Sequence, residues 1–193
     1  MTSIRSVSVV ATAAFALIAT SSASAAVIDF TYSGVASGRW FSGTYSGQSF
    51  TNKAFTITLS GSTESVTALP NGMGYKTNTS GAIVTIADYG SFAVTSETAV
   101  WVNNTFGRSG FGIRDSGDIV GLGDNSFNTW NMQSSLGPIT STGTFNEAFS
   151  TTAGLLRFNG STAVTFSATV VPAPGAVALV GLAGLAGSRR RRA

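Results

Sequence analysis

The sequence predicts an all-β fold, a single antiparallel β-sandwich of jelly-roll type, on three observations. Between Val27 and Val171 lie every Trp, every Tyr and every Phe except Phe15, with few charges and abundant Ser, Thr and Gly. β-Branched and aromatic residues suit a pleated, half-buried surface. Apolar residues in this span recur at every second position, the period of a strand with one face on a core. Turn residues break the runs at roughly 8–12-residue intervals, the spacing of short strands in a sandwich or barrel.

The elements follow in chain order. Met1 to Arg5 carries one positive charge, Val7 to Ala19 is apolar, and Ala23-Ser24-Ala25 is a small-residue cleavage pattern. Residues 1–25 therefore read as a secretory signal peptide, cut after Ala25 or Ala26. The domain, 26–171, opens on Ile28, Phe30 and Tyr32, which share one face opposite Asp29 and Thr31. Phe55, Ile57 and Leu59 alternate with Thr56, Thr58 and Ser60 in the same way. Ile83 to Ile86, then Phe92 with Val94, then Val100 to Val102 read as three short strands. Val164, Phe166, Ala168 and Val170, set against Thr165, Ser167 and Thr169, form the final strand. The predicted turns are Asn71-Gly72, Asp88-Tyr89-Gly90, Arg114 to Gly117, Gly123 to Ser126 and Asn159-Gly160. Strand order is not encoded in this periodicity.

Composition excludes much chemistry. The chain has no His and no Cys, which removes the Ser–His–Asp triad, thiol nucleophiles and most zinc, copper and iron sites. Neither Lys53 nor Lys76 lies in a Ser-x-x-Lys motif, and the carboxylates are scattered. The expectation is a protein that is not an enzyme and that holds no cofactor. The densest oxygen ligands are Asp115-Ser116-Gly117-Asp118 and Asp124-Asn125. They lack the spacing of a calcium loop, and Asp and Asn are ordinary turn residues, so turn chemistry is expected in preference to a metal site. Trp40, Trp101 and Trp130 have two readings: a sugar-stacking platform on the sandwich, or core packing.

The net charge of +3 comes from the ends of the chain. Within 27–171 six cations (Arg39, Lys53, Lys76, Arg108, Arg114 and Arg157) face eight acids, so the domain is slightly acidic. No nucleic-acid partner is expected for it.

The last segment, 172–193, has a three-part order. Pro172-Ala173-Pro174 breaks the backbone, Gly175 to Gly187 is small and apolar, and Arg189, Arg190, Arg191 and Arg192 follow almost at once. A short apolar helix of roughly 20 Å is predicted, against a hydrocarbon core of about 30 Å, with the arginines marking the cytoplasmic side. Val171-Pro172-Ala173-Pro174, the Gly/Ala/Leu run and the arginine cluster resemble the PEP-CTERM sorting domain of Gram-negative exported proteins, with Ala173 in place of the Glu of the family motif. The resemblance covers only about the last 24 residues. It implies a membrane-embedded exosortase as processing partner and a transient inner-membrane anchor. It further implies release to the cell surface or an extracellular, exopolysaccharide and biofilm matrix. Under it the domain is a matrix structural protein, or alternatively a carbohydrate-binding module of the same matrix.

Overall fold

The computed structural model describes residues 26–114 and 117–172. The predicted cleavage residues Ala23 and Ala25, the sorting residues Ala173, Pro174 and Arg189 to Arg192, and the predicted C-terminal helix lie outside the described residues. So do Asp115 and Ser116.

The all-β expectation holds. The described strands are β1 (Val27–Trp40), β2 (Ser49–Ser62), β3 (Thr67–Ala68), β4 (Gly74–Ile86), β5 (Gly90–Ala93) and β6 (Thr98–Asn103). They continue as β7 (Arg108–Ile113), β8 (Asp118–Gly123), β9 (Leu136–Phe145), β10 (Phe149–Thr151), β11 (Gly154–Asn159) and β12 (Ser161–Val171). Helical geometry among the described residues is limited to three short 3₁₀ turns.

The jelly-roll sandwich is not what forms. Eight strands close into an antiparallel barrel in the order β1-β12-β9-β8-β7-β6-β4-β2 and back to β1. Closure occurs because the stretch from Val27 to Gly34 is paired on both sides. Phe30 lies opposite Ala168 of β12 and also opposite Leu59 of β2. Two-residue alternation looks the same in a sandwich and a barrel, since both have one face on the core.

The long strands β1, β2 and β4 outrun the barrel and support a smaller lobe at one end. The end of β1 pairs with β11, β11 with β10, and the end of β4 with β5. A single bridge between Val94 and Thr151 joins β5 to β10. Two sets of aromatic side chains fill the two parts. In the barrel, the Phe166 ring lies 5.1 Å from Tyr32, 5.5 Å from Phe127 and 5.6 Å from Trp130. In the lobe, Phe158 lies 5.0 Å from Phe145, 5.1 Å from Phe55, 5.8 Å from Phe50 and 6.0 Å from Phe149. Such tilted and edge-on pairs add to the area they bury. An eight-stranded barrel is just wide enough for side chains to fill it or for one small ligand, and here aromatics occupy it.

One barrel end is corked by the β8–β9 connection. Phe127, Trp130 and Met132 from this segment are buried in the core. Asn104, just after β6, holds the segment down by donating its side-chain amide to the Phe127 and Trp130 carbonyls.

The outward positions explain the composition. A row of hydroxyls crosses six strands through the pairs Thr140 with Thr165, Thr165 with Ser33, Ser33 with Thr56, Thr56 with Thr85 and Thr85 with Ser91. Thr140 bonds Thr165 and Thr85 bonds Ser91, each at 2.8 Å. Apolar-in and hydroxyl-out is the reverse of a lipid-embedded barrel.

The two ends of the domain meet. Val27 is directly opposite Val171, and the Ala26 carbonyl accepts the Thr63 N–H at 3.0 Å. Pro172 is exposed at this pole.

Candidate functional site

A cleft on the described surface is centred on Trp101. On β6 the alternation places Val100 and Val102 inside the barrel and Trp101 outside, half-buried. The indole rests on the sheet because its neighbours are glycines. Gly110 of β7 lies opposite Trp101, and Gly121 of β8 lies opposite Gly110. A Cβ on Gly110 would stand 2.6 Å from the indole Cζ2, so the ring lies over the bare backbone of β7.

The indole N–H donates to Asp118 Oδ1 at 2.7 Å. On the other side of Trp101, β4 places Lys76 directly opposite. Leu69, Ala99, Gly112 and Ile113 complete a cleft of about 350 Å³. That is near the lower limit for small-molecule sites. Burial pushes the Asp118 carboxyl above its ordinary value, while the Trp101 N–H and the charge of Arg108 pull it back.

The arrangement combines an aromatic surface, a carboxylate acceptor and an ammonium donor. A pyranose ring needs these three features: an apolar face to stack, and hydroxyls to bond on either side. Glycoside cleavage needs two facing carboxylates. Among the described residues Asp118 is the one carboxylate lining the cleft.

The three-tryptophan platform does not form. Trp40 has no exposure and Trp130 only 4%. Trp40 lies in the lobe core, 5.3 Å from Tyr45 and 5.2 Å from Phe92. Trp130 belongs to the cork and donates its N–H to the Ser134 carbonyl at 2.9 Å. An inward phase on β1 and a place in the cork consume them as core, leaving Trp101 as the surface tryptophan.

The described acids of the cluster, Asp118 and Asp124, do not converge either. Asp118 and Asp124 flank the two ends of β8, about 20 Å apart at ~3.3 Å per residue. Asp118 is engaged by Trp101. Asp124 caps the 3₁₀ turn Asn125–Asn128, where its Oδ1 accepts the Ser126 N–H at 2.8 Å. Hydrogen bonding from the Ser126 side chain, and then from its N–H, holds the Asp124 carboxyl below its usual value. Among the described residues no three carboxylates gather into a metal-binding group.

Sequence reasoning treated Asp118 as a turn residue and assigned Lys76 no role. Only the register β4-β6-β7-β8 brings them to Trp101, and no local pattern signals that register. In comparisons with known proteins, the chain matches no family model, no curated protein and no solved structure.

Proposed function

We propose that this chain is an exported structural protein of the cell surface or extracellular polysaccharide matrix. Its PEP-CTERM-like tail directs sorting, with cleavage by an exosortase-type membrane enzyme. The observation that carries this reading is the order of breaker, apolar run and arginine cluster over 172–193. It follows without a linker on β12, whose last residue pairs with the first residue of β1. A barrel whose two ends share one pole can be held by either terminal segment without being threaded or strained. Intact-mass analysis of the protein recovered outside the cell tests the proposal. Loss of residues 1–25 and of the residues beyond about Pro174 is expected. A mature species that retains Arg189 to Arg192 refutes processing.

A second reading, a carbohydrate-binding module of the same matrix, is favoured by the Trp101 cleft. Titration with neutral polysaccharides should show binding that Trp101→Ala abolishes. Absence of binding, or full binding by the variant, removes this reading.

A further inference from the structure

We infer that the sheet face around Arg39 and Arg157, remote from the Trp101 cleft, binds the carboxylates of an acidic polysaccharide. Arg39 on β1 and Arg157 on β11 are directly opposite one another in the antiparallel ladder, and both are exposed. Residues so placed have Cβ atoms about 5 Å apart, and like charges there repel. Among the described residues neither arginine has a salt bridge, although the domain holds more acids than bases. The lysine of the neighbouring strand contrasts with them: Lys53 is neutralised by Asp88 at 2.6 Å.

The surroundings favour a sugar acid. Phe41, 47% exposed, lies 5.5 Å beneath the Arg39 guanidinium, so an aromatic face and a cation sit together. Ser49 is the partner of Arg39 on its other side, and Ser37 faces Asn159 two pairs along the ladder. Guanidinium forks match a carboxylate bidentately, two of them arise here from directly opposed residues, and Phe41 offers a ring beside them. Two cations are too few for a nucleic-acid track. The patch is also distant from the pole where the tail leaves. From Val27 to Arg39 the strand runs roughly 40 Å at ~3.3 Å per residue. On the proposed tethering, which this choice of polymer rests on, the patch faces away from lipid headgroups and toward the matrix.

The test uses the full chain with Arg189 to Arg192 each replaced by Gln, so that the tail does not mask the patch. Polygalacturonate, neutral dextran and phosphatidylglycerol vesicles are the probes. Polygalacturonate should bind and dextran should not bind at this face. Binding should weaken with added salt, fall at least tenfold in Arg39→Gln and in Arg157→Gln, and be unchanged in Lys53→Gln. Thermal unfolding of Arg157→Gln should occur no lower than in the parent, because a repulsion has been removed; this separates lost binding from lost folding. Equal polygalacturonate binding by the double variant overturns the inference, as does binding confined to the vesicles. Neither result depends on whether the tail is cleaved, so failure here is distinct from failure of the sorting proposal.

Discussion

Gly110 and Gly121 face each other across β7 and β8, yet a methyl group should act in opposite directions at the two positions. At Gly110 a Cβ would meet the Trp101 ring at 2.6 Å and the Val120 carbonyl oxygen at 2.7 Å. The carbonyl belongs to the sheet and cannot turn aside, so either the strands separate or the indole lifts away from Asp118. Overpacking of this kind costs about 1–3 kcal/mol, offset by roughly 0.5–1 kcal/mol from alanine's smaller backbone entropy loss. Gly110→Ala should therefore lose about 1–2 kcal/mol, or several degrees of Tm in a domain of this size. At Gly121 the nearest atoms stand 3.9 Å away, an ordinary contact. There the entropy gain is unopposed, and Gly121→Ala should gain up to ~1 kcal/mol. Urea unfolding of the two variants measures both values, and a change in tryptophan emission, with Trp40 and Trp130 buried elsewhere, reports whether the Trp101 indole has moved. A Gly110→Ala protein as stable as the parent, with unshifted emission, would refute the account of why the ring lies where it does.

Asp118→Asn should raise stability at neutral pH. The folded-state carboxyl is raised by burial, so its ionised form is a cost that disappears as pH falls through the raised value. The variant's advantage in Tm should be present at pH 7 and gone near pH 3.5, below the unfolded value of about 3.9; an advantage constant across that range contradicts the assignment. Phe158→Ala, which empties the centre of the lobe, should cost about 3–5 kcal/mol in chemical denaturation. Phe106→Ala, at a position 69% exposed on the β6–β7 turn, should stay within about 0.5 kcal/mol. Asn104→Ala leaves the Phe127 and Trp130 carbonyls without their donor and should cost about 1–3 kcal/mol, measured in the same way.

Much of the fold is legible locally. Ile28, Phe30 and Tyr32 face inward as their alternation requires, as do Phe55, Ile57 and Leu59, and Val164, Phe166 and Ala168. The turns are legible for a physical reason: Asn71 and Asp88 both adopt positive φ, and Gly90 and Gly160 do so without a side chain to strain. β7 and β8 are hidden because their glycines, at 110, 112, 121 and 123, dilute the strand signal. Two of them, Gly110 and Gly121, are the ones that seat Trp101. Barrel closure and the Trp101–Asp118 bond both depend on register between distant segments, and alternation within one strand carries no record of its neighbour. The same gap made Trp40 and Trp130 look equivalent to Trp101, although an inward phase on β1 and a place in the cork bury them.

The double pairing of β1 also sets a timetable. The first strand of the domain to be synthesised must wait for the last, because β12 covers one of its edges. Until then β1 and β9 both present unpaired backbone, the template on which chains aggregate. Folding dominated by such distant pairings is slow. The barrel can therefore complete itself only once nearly the whole domain is available to pair. A chain truncated before Ser161 would leave that seam permanently open.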